Sequence, residues 1–318
     1  MTRFIGNSFK ITPLSLTGRV MEDENLSVIS QLLNSRGFDS RSTPGAGWTC
    51  FQAAKDRESI DTSKNIESLN LPDGFEILPT TGVMDILDTR LRNKLSPRIY
   101  SELSNREKFV VRATDFVFFN LDKLYCLVST TNSKTVDFLV TNFLTNFPFA
   151  DQGFTVNKSP AEYNIPPDLI LWLLYIYYEK DQKINSEMTI KDIVHVEGIL
   201  RVPNSVQYCG ESTPINLTEL KYSIAKGRIF TKIELVLDIN DNIFQFLVDK
   251  DGNVEFKPTQ CTFYEDEHKD IKSLAKAINI YKVIIPSLKS IFNSCDVWFS
   301  SDRDRFIQKC ANDCKSGL

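Results

Sequence analysis

The sequence predicts an α+β fold of two units, each a mixed or antiparallel sheet packed with helices. The content of 42% hydrophobic and 25% charged residues is typical of a folded globular chain. A chain of 318 residues exceeds the size that one hydrophobic core usually supports, which favours two units. A strand hairpin followed by a helix is predicted in both halves, and hairpins indicate antiparallel pairing.

Proline spacing predicts the boundary between the units. Helical and strand periodicity lapses over residues 147–167, a stretch that contains four prolines. Because prolines interrupt regular structure, we expect an N-terminal α+β domain at 1–150 and a C-terminal α+β domain at 151–318.

Helical periodicity first appears after residue 22. Apolar residues at helical spacing predict a helix over 23–35. The polar stretch 37–72 is interpreted as a functional or mobile loop. A short helix is expected over 83–95, ended at Pro97 because the residue before a proline avoids the helical region.

Residues 108–130 predict a β-hairpin. They are rich in Val, Phe and Tyr on both sides of an Asn-Leu-Asp turn. Both strands are almost continuously apolar, so we expect a sheet that is covered on both faces. Ser133 is then expected to be the N-cap of a following helix.

The C-terminal domain is predicted to begin with an all-apolar helix at Pro167, whose missing N–H costs nothing in a first turn. Alternation predicts a strand over 188–202, with Val194 and Val196 on its apolar face. Turn clusters predict a three-stranded antiparallel meander over 229–258. The remaining helices are expected at 217–225, from Asp266 onward with a kink or a division at Pro286, and at 301–314.

The compartment is inferred from the N-terminal residues and the cysteines. The N-terminal residues contain no apolar segment followed by a cleavage site, so we expect no secretory signal. The longest apolar run, 169–178, covers about 15 Å as a helix, half of a bilayer core. Seven scattered cysteines, an odd number, fit free thiols in a reducing compartment. We expect a soluble cytoplasmic protein without membrane insertion.

Motifs for cofactors and metals are incomplete in this sequence. Gly45-Ala46-Gly47 lacks the residues that complete a phosphate-binding or dinucleotide-binding loop. Cys310 and Cys314 lie one helical turn apart, but they continue an apolar stripe, which favours core packing over zinc binding. We therefore expect no cofactor and no bound metal.

A metal-dependent nuclease is the main enzymatic alternative. Such an enzyme needs carboxylates that hold a divalent ion and a lysine beside the reacting phosphate. The candidates are Asp238, Asp249, Glu255 and Lys257, which all fall on the predicted meander or its turns. A solvent-facing strand edge is the favoured interpretation, because polar residues that alternate on a strand usually face water. The tight turn between Asp249 and Glu255 is a geometric difficulty for catalysis.

A second catalytic hypothesis concerns His195 and Glu197. They are predicted to share the polar face of the 188–202 strand, and a histidine beside a carboxylate can act as a general base. A surface pair is the favoured interpretation, because polar residues that alternate on a strand usually face water.

A local excess of positive charge is the clearest functional signal. Residues 90–112 hold seven basic and two acidic residues, a balance of +5 within a chain of −4. This segment could neutralise phosphates and stack on a base, although a solvated surface would have the same composition. The candidate nucleic-acid contacts are Arg90, Arg92, Lys94, Arg98, Tyr100, Arg106, Lys108 and Arg112.

The helix predicted over 168–178 is apolar on all sides. Such a helix is either central to a core or part of an interface, where Tyr and Trp are favoured. The candidate interface residues are Leu169, Trp172, Leu173, Tyr175, Ile176 and Tyr178.

The sequence therefore favours a non-catalytic binding subunit. We expect it to contact DNA or RNA through the basic segment, to assemble with a protein partner or a second copy of itself, or to do both. The chain has only two histidines and no recognisable nucleophile motif, which argues against an enzyme. A divalent-metal-dependent nuclease and a purely structural interaction protein are the alternatives.

Overall fold

The computed structural model describes residues 9–17, 26–39, 44–52, 60–145, 154–199, 217–262 and 269–316. The chain divides into two compact units, Met1–Pro160 and Ala161–Leu318. Each unit combines antiparallel strands with helices, so the predicted α+β class is confirmed. The predicted boundary, between residues 150 and 151, lies in the same proline-containing stretch as Pro160. Parts of several predicted elements lie outside the described residues, at 23–25, 40–43, 53–59, 200–202 and 266–268.

The first unit has a sheet with the strand order β2-β4-β5-β6-β1, in which β3 also pairs with β4 and β7 with β1. Its strands are β1 (Phe9–Thr17), β2 (Ala46–Cys50), β3 (Leu69–Asn70), β4 (Glu76–Leu87), β5 (Phe109–Asn120), β6 (Leu124–Val128) and β7 (Thr155–Asn157). Its helices are α1 (Leu26–Asn34), α2 (Thr89–Lys94), α3 (Pro97–Glu102), α4 (Asn105–Lys108) and α5 (Ser133–Leu139), the last continued by a π-helical turn at Val140–Thr145.

The predicted hairpin over 108–130 is confirmed as β5 and β6. All residues from Ala113 to Phe119, and all of β6, are buried, as expected for strands covered on both faces. On one face Trp48 is the central side chain of the core. Its ring centroid lies 5.0 Å from that of Phe116 and 5.2 Å from that of Phe143, so the aromatic contacts connect β2, β5 and the π-helical turn.

The predicted helix over 83–95 is wrong. Residues 83–87 belong to β4, and only Thr89–Lys94 is helical. The reason is long-range pairing, because β4 pairs with β5 from Ile77 opposite Phe119 to Leu87 opposite Phe109. This pairing overrides a weak local helical pattern.

Two further predictions in this unit need correction. The polar stretch 37–72 contains β2, in which Trp48 lies opposite Gly82 of β4. The helical N-cap is Asn132 and not Ser133, because the Asn132 side chain accepts the backbone N–H of Thr135 at 3.1 Å.

The second unit has a sheet with the strand order β11-β10-β9-β8. Its strands are β8 (Met188–Ile199), β9 (Ile229–Ile239), β10 (Asn242–Asp249) and β11 (Val254–Phe256). Its helices are α6 (Pro167–Glu179), α7 (Leu217–Ala225), α8 (Lys269–Asn279), α9 (Ile285–Asn293) and α10 (Arg303–Ser316). The π-helical turns Ile280–Ile284 and Trp298–Asp302 precede α9 and α10.

The predicted meander is confirmed as β9, β10 and β11. The turn between β9 and β10 consists of Asn240 and Asp241, whose φ angles of 50° and 66° are those of a type I′ hairpin. The divided helix is confirmed as well. Helix α8 gives way to the π-helical turn immediately before α9, which begins with Pro286 in its first turn.

The predicted faces of the strand at 188–202 are confirmed at Met188 and Ile190 but are wrong after the first register shift. Strand β8 has three register shifts against β9, and each shift of one residue reverses which side chains face the core. Ile193 is consequently buried, while Val194 and Val196 are only partly covered.

We expect Gly47→Ala to lower the free energy of unfolding by about 1–3 kcal/mol, the usual range for overpacking. A Cβ at Gly47 would lie 2.6 Å from the backbone N and Cα of Phe38, which cannot move independently of the chain. The control is Gly37→Ala, whose Cβ would have its nearest neighbour at 3.8 Å, with an expected change within about 0.5 kcal/mol. Denaturant unfolding measures both, and equal effects would contradict the prediction.

Candidate functional site

The basic segment lies on a two-stranded extension of the first unit's sheet. Strand β2 pairs with β4 as far as Met84, and β6 pairs with β5 as far as Phe116. Beyond Met84 and its partner Arg112, residues 85–87 and 109–111 pair only with each other among the described strands. We call residues 85–112, which comprise this ribbon and the helices that connect its strands, the basic arm.

The helices of the basic arm are held by local caps. The Asp88 carboxylate accepts the backbone N–H groups of Arg90 at 2.9 Å and Leu91 at 3.2 Å, which starts α2. Helix α3 begins at the cap Ser96, and α4 begins with a capping box between Ser104 and Glu107. The hydrogen bonds from Ser104 lower the pKa of the Glu107 carboxyl.

None of these three helices contributes a buried residue, so they face solvent on the arm. The residue before the first helix and the last residue of the third helix meet at the ribbon. There the backbone N–H of Asp88 donates to the carbonyl oxygen of Lys108 at 2.9 Å.

Most of the predicted nucleic-acid contacts are exposed on the arm. The exposed members are Arg90, Arg92, Lys94, Arg98, Arg106 and Arg112. The Lys108 ammonium lies 5.6 Å from the ring centroid of Tyr100, and both residues are half-buried. Arg98 forms an exposed ion pair with Glu102 at 3.5 Å, which contributes little in water.

Several of the arm's cations have no acidic partner. Within the part of the chain that the structure describes, Arg90, Arg92, Lys94 and Arg112 form no ion pair. Their charge is therefore available to an anion from solution.

A cleft of about 340 Å³ lies at the start of the arm, between the end of β4 and the beginning of β5. Its aliphatic part consists of the half-buried Ile86 and the exposed Val110, which share one face of the ribbon with the exposed Arg112, and Arg90 also lies at its rim. Leu87 and Val111 line the cleft from strand positions of the opposite face. The sequence prediction missed Ile86 and Val110, because it assigned residue 86 to a helix. The signal was the β-branched residues of β4, which favour a strand.

The apolar helix predicted over 168–178 is α6, and this chain itself buries it. Trp172 is 1% exposed, and its ring centroid lies 5.7 Å from that of Phe292 on α9. The Tyr175 ring packs against Trp298 and Phe306. The other candidate interface residues, Leu169, Leu173 and Ile176, are also buried. Tyr178 is half-buried, and burial raises the pKa of its hydroxyl to about 12. These side chains are covered by other parts of the same chain and need no partner for their burial. An interface at α6 therefore remains a prediction.

The candidate nuclease residues make separate interactions. Asp238 forms an ion pair with Lys191 at 2.9 Å. The Asp249 carboxylate accepts the backbone N–H groups of Asp251 and Asn253, both at 2.9 Å, and so closes the β10–β11 turn. Burial raises the pKa of Asp249.

Glu255 lies opposite Leu247 on β10, and Lys257 is exposed after β11. Among the residues described, no group of three or more His, Cys, Asp or Glu side chains is placed to hold a metal ion. The arrangement does not favour the nuclease alternative.

His195 and Glu197 are adjacent on β8, as the second catalytic hypothesis requires. The Nε2 atom of His195 lies 3.1 Å from Oε1 of Glu197, and the Lys232 ammonium donates to the same oxygen at 3.2 Å. Burial acts to raise the pKa of Glu197, but the hydrogen bonds from His195 and Lys232 together outweigh it and lower that pKa. The carboxylate is thus held ionised as part of a surface network on β8 and β9.

Two comparisons bear on the identity of the chain. A scan of protein-family models and a search of curated proteins found no match to this sequence. In the described part of the chain, helices are too short or too polar to cross a bilayer.

We expect Trp172→Ala to lower the free energy of unfolding by about 3–5 kcal/mol. Because the chain's own helices bury this ring, the unfolding midpoint should not change with protein concentration. The control is Val297→Ala at a residue 57% exposed, which should have little effect. Denaturant unfolding at several protein concentrations provides the measurement. A midpoint that rises with concentration would instead indicate burial by a partner.

We expect Glu197→Gln to destabilise the protein at neutral pH but not in acid. The folded state lowers the pKa of Glu197, so its ionised form stabilises the fold above the unfolded pKa of about 4.3. This contribution is lost as the pH falls through the lower pKa of the folded state.

The measurement for Glu197→Gln is the difference in thermal stability from the parent protein at pH 7 and pH 3. Glu67→Gln, at an exposed residue, is the control and should match the parent at both pH values. An equal deficit of the Glu197 variant at both pH values would contradict the assignment.

Proposed function

We propose that this protein is a non-catalytic binding subunit that contacts nucleic acid through the basic arm. The observation that carries the proposal is the placement of the arm. Its cations lie on the short helices that connect the strands of the ribbon and at Arg112, where the ribbon joins the sheet, and several of them have no acidic partner among the described residues.

Charge complementarity supports a polyanion as the ligand. Residues 90–112 carry +5, whereas the whole chain carries −4, so the rest of the protein repels the polymer that this segment attracts. Such a distribution favours binding in one orientation, with the arm toward the phosphates. Contacts of this kind release counterions and make the affinity strongly dependent on salt.

The shape of the arm also supports this function. A two-stranded ribbon with short helices at its end presents side chains on an extended surface, and β-ribbons are among the elements that fit nucleic-acid grooves. Arginine is the residue best suited to phosphate, because its planar guanidinium can donate two parallel hydrogen bonds.

We expect the combined substitution of Arg90, Arg92 and Arg98 by Ala to weaken binding of DNA and RNA oligonucleotides. Each phosphate contact that is lost should reduce the slope of log affinity against log salt by about 0.7–0.9, so three lost contacts reduce it by roughly 2–3. Fluorescence anisotropy across a salt series measures both the affinity and the slope.

A charge-matched control separates the arm from the net charge of the protein. Lys134, Lys226 and Lys315 are exposed outside the arm, and their joint replacement by Ala removes the same charge. This control should bind almost as well as the parent protein. Equal losses in the two variants, or an unchanged affinity in the arginine variant, would refute the proposed function.

A further inference from the structure

The cleft at the start of the basic arm has two chemically different parts. Its aliphatic part consists of Ile86, which is half-buried, and Val110, which lies opposite Ile86 on the same face of the ribbon. Its exposed rim holds two guanidinium groups, those of Arg90 and Arg112. The volume of about 340 Å³ lies in the range of small-molecule sites, about 300–1,000 Å³.

The cleft is built by strand pairing. Ile86 lies opposite Val110, and Met84 lies opposite Arg112, so the alternation of side chains along β4 and β5 places Ile86, Val110 and Arg112 on one face of the ribbon. Val110 is 46% exposed although it is aliphatic, which leaves apolar surface uncovered beside the arginines.

The acidic residue in the cleft is already engaged. Asp88 lines the same space, but its carboxylate accepts two backbone N–H groups as the cap of α2. The two arginines outnumber this one carboxylate, and neither of them forms an ion pair within the described chain.

We infer that this cleft receives an unpaired base of single-stranded nucleic acid, with Arg90 and Arg112 contacting that nucleotide and its phosphate. A base has apolar faces that fit an aliphatic wall, and a guanidinium can stack on those faces or bind phosphate. In a duplex the same faces are covered by neighbouring base pairs, so a duplex cannot fill the cleft without extruding a base.

This inference rests on the proposed function and refines it. The proposed function requires only that the arm bind phosphates. The inference adds a preference for single strands over duplexes, and it also requires that the base itself contributes to affinity.

The first experiment uses the full chain and four fluorescent probes. These are a single-stranded DNA oligonucleotide, an RNA oligonucleotide of the same sequence, the DNA duplex, and a single strand of equal length with abasic positions. We expect the two complete single strands to bind at least about threefold more tightly than the duplex and the abasic strand, because a guanidinium over a ring face at an exposed site contributes a factor of about two to five. The DNA and RNA arms show which sugar is preferred.

The second experiment changes the rim without changing the charge. In the double variant Arg90→Lys and Arg112→Lys, the cations remain but the planar groups are lost. We expect the preference for complete single strands over abasic strands to fall at least about threefold. Arg98→Lys, outside the cleft, is the matched control and should keep the preference. Circular dichroism confirms that each variant is folded.

The outcomes separate the two proposals. Equal affinity for complete strands, abasic strands and duplexes, with a steep salt dependence, would overturn the base-binding cleft but leave phosphate binding by the arm intact. Binding to none of the four probes would overturn the proposed function and the cleft together. An unchanged preference in the double lysine variant would exclude Arg90 and Arg112 as contacts of the base.

Discussion

The antiparallel pairing of β4 with β5 is the constraint on which the first unit depends. Its register runs without interruption from Ile77 opposite Phe119 to Leu87 opposite Phe109. One part of this ladder lies in the aromatic core around Trp48, and the other part forms the ribbon of the basic arm. A slip of one residue in this register would move every side chain of the slipped strand to the opposite face of the sheet. Core residues would then be exposed, and the cleft would be lost at the same time.

The second unit is organised by burial on one side of its sheet and by charge on the other. Phe244, Phe246 and Val248 of β10 face the core, while the network of His195, Glu197 and Lys232 lies on partly exposed positions of β8 and β9. The aromatic contacts of α6 with α9 and α10 tie the helices of this unit to one another. The burial of α6 also shows why an all-apolar helix is a weak indication of an interface, because a core helix has the same composition.

Local signals explain which elements could be predicted from the sequence. The β5–β6 hairpin, the β9–β11 meander and α6 each have their pattern and their turn or cap within one short segment. Strand β4 could not be predicted in the same way, because its main partner follows only after the helices of the arm. Strand β2 was missed for a related reason. In the sequence Trp48 is flanked by glycines and polar residues, and the rings of Phe116 and Phe143 that pack against it come from distant parts of the sequence.

The candidate site was predictable in composition but not in geometry. The excess of basic residues could be read directly from residues 90–112. The cleft could not be predicted in this way. It requires that Ile86 and Val110 lie opposite each other, on two strands that were not predicted to pair. The bulges of β8 are a second example, since nothing in an alternating sequence indicates where an extra residue is inserted.

The hydrogen bond between Asp88 and Lys108 has a consequence for how this protein can change. The chain leaves the sheet and returns to it at a single point, so the helices between these residues form a closed module. Modules of this kind tolerate insertions and substitutions without disturbing the elements that carry them. The helices of the module can therefore change without loss of fold stability, whereas the cleft residues on β4 and β5 are tied to the ladder.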